Sequence, residues 1–500
     1  MLKNLIFLEV LIAIGTAVFY MASTRATRRD VGILPGIVFA AMAAIAFLSP
    51  KMIVMHIAIG LLPLVFGRTK QQVGIIIAAG LFALPSLPTN LMLGSMWLFL
   101  WTTQTTLAVG GLIAMLVAPG RLGRALPWTD ASMIIVIFVL IFIDARAGAV
   151  SGYFRQFATY FFDYMIPVFL ITRSTRNAVE TRSLLAALAA VGCILAIIGL
   201  YEARAHWPLY SPLMNHYGFS PDSVVKWRGG FIRSYGPLEE ATKLGAALVM
   251  CFCAALATRR AYISTFGYVG IVGLIAVGTL APQSRGGMIG VAVAFVVSSF
   301  YRRGIASASQ IGLAGLLLAG VYAGTRFLGS FGAQVATSLE DGKGSTDYRT
   351  ELLRRGMQEY WKNPIFGDSY HNVVARMPDM VQGEGIVDFV NSYLYFALFS
   401  GVIGLLLFCA SFLVPIGRML QVRRALPPLS AERDVAGFCL AVLLSAAVMI
   451  VFTSYLKRPS IFWLASASLA MMLVVPRRAA ASKPRPEEPM IRKPDAPVTA

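Results

Sequence analysis

Residues 184–200 read LLAALAAVGCILAIIGL, a run of seventeen residues without a single charge. Such a run approaches the roughly 20 mostly apolar residues that a helix needs to cross the hydrocarbon of a bilayer. Similar runs recur along the chain at 5–21, 31–48, 52–66, 73–87, 91–117, 131–143, 153–171, 237–257, 263–280, 286–300, 311–327, 391–415, 435–452 and 461–475. This pattern predicts an all-α integral membrane protein, a multi-span bundle of roughly 12–15 transmembrane helices.

The composition also points to a membrane protein. Hydrophobic residues make up 57% of the chain and charged residues only 13%, whereas about 25% of the residues of soluble domains are charged. All five cysteines fall inside apolar runs, so we expect buried thiols and no disulfide. No histidine, cysteine or acidic pattern has metal-ligand spacing, and the sequence therefore predicts no metal and no cofactor.

The net charge of +19 is concentrated in alternate loops. Because membrane proteins keep Lys and Arg in cytoplasmic loops, these basic clusters predict cytoplasmic loops, and the charge does not indicate nucleic-acid binding. The predicted organisation is a transmembrane bundle over 1–328 with an exterior loop at about 201–235, a large exterior loop at 329–390, transmembrane helices over 391–476, and a disordered cytoplasmic tail at 477–500.

Four arginines are predicted to lie on the exterior side: Arg155, Arg228, Arg233 and Arg285. Arginines are uncommon in the exterior loops of a protein with positive-inside topology, so these four require an explanation. One reason is an interfacial side chain that reaches the lipid headgroups. The other is function, because the guanidinium fork matches phosphate geometry and several such groups stabilise a departing diphosphate.

The large loop is predicted to contain an amphipathic helix. Ser345, Thr346 and Asp347 are typical of a helix start. The side chains of Tyr348, Leu352, Met357 and Tyr360 then share one face at helical spacing, and Asn363-Pro364 ends the helix. Such a helix lies on the membrane surface over the bundle. Arg349 is its predicted functional member.

Three residues are candidates for a general base: Glu240, His371 and Asp388. A partly desolvated carboxylate at the membrane interface gains a raised pKa and accepts protons near neutral pH. The alternative for Glu240 is an ion pair with a neighbouring Arg or with Lys243.

These elements together resemble the O-antigen ligase/O-antigen polymerase family of bacterial envelope enzymes. The motifs that carry the resemblance are Arg233-Ser-Tyr-Gly-Pro, Ser284-Arg285-Gly286, Tyr348-Arg349 with the following helix, Asn363-Pro364-Ile365-Phe366-Gly367, and Asn391-Ser392-Tyr393-Leu394 leading into Gly401-Val402-Ile403-Gly404-Leu405.

The resemblance implies metal-independent, inverting glycosyl transfer on the periplasmic face of the bacterial inner membrane by a GT-C-like bundle. It implies donors that are glycans on undecaprenyl diphosphate, a membrane-lipid environment, and a flippase and chain-length or export machinery as partners. Arg233 and Arg285 correspond to a diphosphate-binding pair and Arg349 to a further donor contact. Asn391 and Tyr393 belong to a motif that we assign to substrate binding.

One position departs from the family pattern. Ligases of the family carry His-Asn at the end of the large loop, and Val390 here precedes Asn391. Valine accepts no proton, and an Asp near Asn-Ser-Tyr-Leu is more similar to the exopolysaccharide polymerases. We therefore predict a polymerase that joins lipid-linked repeat units. The alternatives are a ligase that transfers the same donor to lipid A-core or another acceptor, and a transporter of lipid-linked glycan, whose ionisable groups would instead lie near the bilayer midplane.

Overall fold

The computed structural model describes residues 1–123, 128–146, 150–219, 226–228, 231–303, 343–381, 387–427, 430–454 and 457–473. Within these ranges the chain is mostly helical, with two short antiparallel hairpins. The predicted all-α membrane fold is confirmed. The predicted span at 311–327, the start of the predicted large loop and the predicted tail lie outside the described residues.

The first part of the chain contains the helices α1 (Leu2–Ala22), α2 (Arg25–Asp30), α3 (Leu34–Leu48), α4 (Met52–Phe66), α5 (Lys70–Gly80), α6 (Thr103–Val117), α7 (Ala131–Ala145), α8 (Val150–Tyr160), α9 (Ile166–Arg173) and α10 (Ala178–Ala205). The remainder contains α11 (Ser211–His216), α12 (Ala241–Ala257), α13 (Thr265–Gly278), α14 (Arg285–Arg303), α15 (Lys343–Tyr360), α16 (Tyr370–Ala375), α17 (Ser392–Arg423), α18 (Ala431–Met449) and α19 (Lys457–Met472). Short 3₁₀ turns cover Gly236–Leu238, Arg259–Ala261 and Pro378–Met380.

Two hairpins are described, β1 (Thr89–Leu93) with β2 (Met96–Trp101), and β3 (Trp227–Arg228) with β4 (Phe231–Ile232). The prediction of one helical span over 91–117 is therefore wrong in its first part. Leu93 pairs with Met96 across Gly94-Ser95, and Gly94 has a φ of 61°. A two-residue turn that begins with glycine favours a hairpin, and aromatic side chains stabilise the strand that follows.

Two other predicted spans differ in detail. The helix expected at 73–87 ends at Gly80, ahead of Pro85 and Pro88. The run at 153–171 is continuous from α8 to α9 but contains a π-helical turn at Phe161–Met165. Single π-turns within helices occur often at functional sites, because they rotate a side chain away from its helical position.

Four segments are long and apolar enough to cross a membrane, by length and composition: Leu2–Ala22, Arg25–Leu48, Ala178–Ala205 and Ser392–Arg423. Further apolar helices in the described residues have 10–17 residues, which is shorter than a typical span. The number of 12–15 spans stays a prediction.

Helix α10, which contains the run 184–200, lies at the centre of the bundle. It packs against α1, α5, α12 and α13, and most of its residues are buried. Its small residues allow close approach, since a Cβ on Gly192 would lie 2.6 Å from the Cβ of Cys251. Small residues at helix contacts stabilise membrane bundles by van der Waals packing, because lipid supplies little hydrophobic drive between helices.

The basic segments lie at one end of the bundle. The backbone N–H of Thr24, at the start of α2, donates to Ala261 O at 2.8 Å, so the segments around Arg28 and Arg259 adjoin. At the C-terminal end of α14, Arg423 and Arg433 both donate to Tyr301 O at 3.2 Å.

The opposite end of the bundle holds the start of α1, where Asn4 donates to Leu209 O at 3.0 Å. The start of α14 at Arg285 lies at this end too, since α14 reaches the basic end at Tyr301. The N-terminus and Arg285 therefore share the end that lies away from the basic segments.

The amphipathic helix of the large loop is present as α15, which packs on α17. Leu352 is buried, Tyr348 is partly buried, and a Cβ on Gly356 would lie 2.8 Å from the Leu394 side chain. Met357, which we expected on the packed face, is 40% exposed. The packed face of α15 is rotated from the predicted one, because Gly356 makes the close contact with α17.

The Asn363–Gly367 motif fits into a break in α17. Gly401 has φ 64° and ψ −167°, which interrupts the helix. The freed N–H of Val402 donates to Pro364 O at 2.8 Å, and the N–H of Asp368 donates to Leu398 O at 2.8 Å. The break thus satisfies its backbone groups with the loop motif, which fixes the large loop to the bundle.

We predict that Gly401→Ala and Gly367→Ala are strongly destabilising. Both glycines have positive φ, and an added Cβ would overlap Ile365 O or Leu398 O, respectively. Strain and overlap together cost about 2–4 kcal/mol. Thermal unfolding of purified protein in detergent measures the loss.

Gly417→Ala is the matched control for this experiment. Gly417 lies in the same helix, and its added Cβ would meet open space. This variant should unfold at or slightly above the wild-type temperature. Equal effects of Gly417→Ala and Gly401→Ala would contradict the proposed fit between loop and helix.

Candidate functional site

A cavity of about 780 Å³ opens at the end of the bundle that lies away from the basic segments. Its walls come from β2 and the segment before β1, from the end of α7 and from α8, from the π-helical turn, and from the starts of α12 and α19. The segment 387–389, at the end of the large loop, closes one side. Separate parts of the sequence therefore meet at this cavity.

The cavity wall is rich in charge but nearly balanced. Its lining includes the carboxylates of Asp144, Asp163, Glu239 and Asp388, and the cations of Arg155, Lys243 and Arg458. Aromatic side chains fill much of the remaining wall. Of the predicted site residues, Arg155 and Asp388 line the cavity.

Arg458 anchors the floor of the cavity. It is only 4% exposed, donates to Pro237 O at 3.3 Å and to Leu84 O, and pairs with Glu239 Oε1 at 2.9 Å. Glu239 has a φ of 68°, which is unusual for a residue with a side chain. A buried arginine is stable only when carbonyls and a carboxylate satisfy it. Sequence reasoning missed Arg458, although an arginine in the short segment between the predicted spans 435–452 and 461–475 was a signal.

Asp163 reaches the cavity from the π-helical turn. Its Oδ1 accepts hydrogen bonds from Thr102 Oγ1 at 3.1 Å and from Thr105 Oγ1 at 2.5 Å. The same two threonines form the capping box of α6. The carboxylate thus joins the π-turn to the start of α6, which directly follows the hairpin. These hydrogen bonds explain why the acidic residue Asp163 is present within an apolar run.

Asp388 lines the cavity and also contacts the amphipathic helix α15. Ser454 Oγ donates to Asp388 Oδ1 at 2.8 Å, and the Asp388 backbone carbonyl accepts from Tyr348 of α15. Burial lowers the pKa of Arg349 first, the positive charge of Arg285 lowers it further, and the Asp388 carboxylate opposes both. Arg349 therefore lies within range of the charges of Arg285 and Asp388, and we call these three residues the arginine cluster.

Arg233 is positioned beside the loop that leads to Arg285. Its Nε donates to Pro282 O at 3.2 Å, and the next residue, Ser234, donates its N–H to Ala281 O at 3.2 Å. Arg233 and Arg285 thus belong to two segments that are joined by hydrogen bonds, as the predicted pair requires.

Glu202, at the end of α10, holds the Arg233 segment in place. It is completely buried, and its carboxylate accepts from Ser234 Oγ at 2.7 Å, from Gly236 N at 2.9 Å and from Leu209 N at 2.9 Å. Sequence reasoning missed Glu202, because nothing in its local pattern distinguishes it from a surface acid at a helix end.

The other two predicted arginines have different positions. Arg155 donates to Trp97 O at 3.2 Å, and its guanidinium lies 4.8 Å from the centre of the Trp97 ring. It therefore lies on the hairpin side of the cavity. Arg228 lies in β3, where its backbone pairs with Phe231, and its side chain is outside the described part of the structure.

The three candidate bases are not equivalent. Glu240 is exposed, and Lys243 pairs with it at 2.7 Å. His371 is exposed on α16, whereas its neighbour Tyr370 lines the cavity. Among the candidate bases, Asp388 is the one that lines the cavity.

The motif at the start of α17 has a structural role. Asn391 Oδ1 accepts from the N–H groups of Tyr393 and Leu394 at 2.9 and 3.2 Å, which caps the helix. The Tyr393 hydroxyl donates to Ala447 O at 2.9 Å in α18. Val390 packs against the apolar core. A contact of Asn391 or Tyr393 with substrate stays a prediction.

A cluster of ion pairs braces the large loop next to the cavity. Arg376 pairs with Glu359 Oε2 at 2.7 Å and with Asp368 Oδ2 at 2.8 Å, and Lys362 pairs with Glu359 at 2.6 Å. Burial by itself would raise the pKa of both carboxyls, but the hydrogen bonds from Lys362 and Arg376 to Glu359, and from Asn372 and Arg376 to Asp368, lower both pKa values.

We predict that Arg376→Gln destabilises the loop by about 1 kcal/mol at neutral pH. Since both carboxyls have lowered pKa values in the folded state, the stabilisation is present above their ordinary pKa of about 4 and is lost as the pH falls through the folded values. The difference in melting temperature between wild type and variant should therefore shrink below about pH 4.

The control for this pH series is Arg354→Gln. Arg354 pairs with Glu351 on the exposed side of α15, where ion pairs contribute little. Its melting temperature should stay near the wild-type value throughout. A difference for Arg376→Gln that grows on acidification would refute the brace.

We also predict that Glu202→Gln lowers stability by about 1–3 kcal/mol, because an amide NH₂ would face donors that now reach a carboxylate. Unfolding in detergent measures this loss. Glu180→Gln, which alters an ion pair with the exposed Arg176 at the other end of α10, should cost much less. Indistinguishable curves for the two variants would rule out Glu202 as the support of the Arg233 segment.

Comparison with known proteins matches the part of the chain that contains the arginine cluster. Residues 270–409 match the family model described as O-antigen ligase. The matched stretch contains Arg285, Arg349 and Asp388 and the break in α17, whereas Arg233 and Glu202 precede it. A comparison with curated proteins found no match. Over residues 270–409, the chain is therefore similar to the O-antigen ligase family.

Proposed function

We propose that the protein is a polysaccharide polymerase that joins oligosaccharide repeat units carried on undecaprenyl diphosphate. The reaction is a metal-independent, inverting glycosyl transfer on the periplasmic face of the bacterial inner membrane. The match of residues 270–409 to the O-antigen ligase model supports glycosyl transfer of the ligase or polymerase type. Membrane lipids surround the bundle, and a flippase and chain-length or export machinery would supply and remove the glycan.

The observation that carries this proposal is the arginine cluster at the edge of the cavity. Arg349 is partly desolvated, and it lies within range of the like charge of Arg285 and of the Asp388 carboxylate. Clustering like charges costs free energy in the absence of a ligand. A diphosphate offsets that cost, because each guanidinium donates a fork of hydrogen bonds to phosphate oxygens. Arg233 lies on the neighbouring segment and adds a third donor.

The distribution of basic residues supports a periplasmic site. The segments around Arg28, Arg259 and Arg423 lie at the end of the bundle opposite to the cavity. By the positive-inside rule those segments face the cytoplasm. The arginine cluster then faces the periplasm, where repeat units on undecaprenyl diphosphate become available after they cross the membrane.

In the proposed step, an acceptor hydroxyl attacks the anomeric carbon of the donor sugar. The new C–O bond forms as the bond between that carbon and the diphosphate oxygen breaks, and lipid diphosphate leaves with the bonding electron pair. The hydroxyl proton passes to a base on the acceptor side. Arg285, Arg349 and Arg233 stabilise the negative charge that develops on the departing diphosphate.

Asp388 is the proposed base. It lines the cavity, whereas His371 and Glu240 are exposed outside it. A carboxylate is a weak base, which is sufficient when the leaving group departs early and the sugar gains oxocarbenium character. Val390 stands where ligases of the family carry a histidine, and valine accepts no proton. Asp388 would accept the proton instead, and an Asp near this motif favours a polymerase over a ligase.

A ligase is the second candidate, because the matching family model carries that description. The donor site is the same in both reactions, so the acceptor distinguishes them. A deletion strain that accumulates single repeat units indicates a polymerase. One that makes full-length polymer but does not attach it to lipid A-core indicates a ligase.

We predict that Arg285→Ala and Arg349→Ala reduce glycosyl transfer about 100-fold or more, since each removes a charged donor to the leaving group. Asp388→Asn should reduce it by a similar factor, because the amide accepts no proton. Purified protein in nanodiscs, with lipid-linked repeat units as both donor and acceptor, gives the measurement by product length.

Arg354→Ala is the matched control, since Arg354 lies on α15 with Arg349 but pairs with Glu351 on the exposed side. It should keep wild-type activity. Wild-type product lengths from Arg285→Ala would exclude the diphosphate role. If the protein moved intact lipid-linked glycan across the membrane and formed no new glycosidic bond, it would be a transporter and not an enzyme.

A further inference from the structure

Two aromatic rings are open to the cavity. Trp97 is 41% exposed and Tyr370 is 40% exposed, and both side chains line the cavity. A pyranose ring presents an apolar face of C–H groups and a rim of hydroxyls. An aromatic ring packs against the C–H face of the sugar, and carboxylate oxygens accept hydrogen bonds from its hydroxyls.

Asp144 supplies such a carboxylate. Its Oδ2 accepts a hydrogen bond from the Tyr160 hydroxyl at 2.5 Å, and its side chain also interacts with Tyr395. The Asp144 side chain is exposed, and it lines the cavity together with both tyrosines. Two phenols thus hold an acceptor in a fixed orientation while it stays accessible, which is how polar groups orient a ligand in a mostly apolar pocket.

The charge of the cavity argues against a phosphate in this part of the site. Its four carboxylates, Asp144, Asp163, Glu239 and Asp388, outnumber the three cations Arg155, Lys243 and Arg458. Arg458 and Lys243 are moreover paired with Glu239. A diphosphate would meet repulsion here, whereas a neutral sugar satisfies acceptor groups with its hydroxyls.

The location of Asp144 relative to Asp388 indicates which sugar binds there. Tyr370 and Tyr395 lie between them, since Tyr370 accepts from Val387 N–H and both tyrosines contact the Phe399 ring. The charges that act on Arg349 are those of Arg285 and Asp388, and Asp144 is not among them. A sugar at Asp144 would therefore lie near the proposed base and apart from the arginines.

We infer that Trp97 and Asp144 form the binding subsite for the pyranose residue that carries the attacking hydroxyl of the acceptor glycan. This inference rests on the proposed glycosyl transfer. Trp97 covers the C–H face of the sugar, and Asp144 accepts from its hydroxyls. The hairpin β1–β2 is thereby a determinant of acceptor specificity.

The test uses full-length protein in nanodiscs and lipid-linked repeat units isolated from a strain that lacks the protein. The acceptor is a water-soluble oligosaccharide, released from those units by mild acid. Asp144→Asn and Trp97→Ala should each raise the acceptor KM about 10-fold, because a charge-assisted hydrogen bond or a stacked ring is lost. The donor KM should stay unchanged, and Trp97→Phe should restore most of the acceptor affinity.

Trp128→Ala and Asp30→Asn are matched controls at the basic end of the bundle, where Trp128 is exposed and Asp30 pairs with Arg29. Both should keep the wild-type acceptor KM. An acceptor KM within twofold of wild type for Asp144→Asn and Trp97→Ala overturns this inference while transfer itself continues. A donor KM that rises as much as the acceptor KM overturns it as well. Absence of transfer by wild-type protein would instead refute the proposed function.

Discussion

The buried carboxylate of Glu202 organises the end of the bundle where the site lies. It lies near the end of the central helix α10 with no solvent exposure, and donors from Leu209, Ser234 and Gly236 satisfy its oxygens. Those donors hold the segment that contains Arg233 against the loop before Arg285. The positions of the substrate-binding candidates thus depend on one internal acceptor.

Charge is distributed unevenly across the candidate site. Arg349 lies within range of the charges of Arg285 and Asp388, and repulsion between the two arginines favours an anion. The cavity holds more carboxylates than cations, together with exposed aromatic rings. The proposed transfer, which brings a sugar diphosphate and a sugar hydroxyl together, would use both regions.

The sequence predicted the helical runs well, because an apolar segment in a bilayer satisfies its backbone only as a helix. It also indicated Arg155, Arg228, Arg233 and Arg285 as candidates, because arginines are uncommon in exterior loops, and their role in binding stays a prediction. It missed Glu202, Arg458 and Asp144, since each depends on partners from distant segments. The hairpin at β1–β2 was missed because hydropathy does not distinguish an apolar strand pair from a helix, although Gly94-Ser95 carried a turn signal.

The sequence by itself determined the membrane character of the chain, the amphipathic helix of the large loop and the chemical type of its candidate ligand groups. These properties follow from local composition and periodicity. Only the tertiary structure decided that Asp388, rather than His371 or Glu240, lines the cavity, and that Gly401 breaks α17 to receive the Asn363–Gly367 motif. The reason is physical: solvent exposure and pairing are properties of the packed bundle, and residues far apart in the chain determine them.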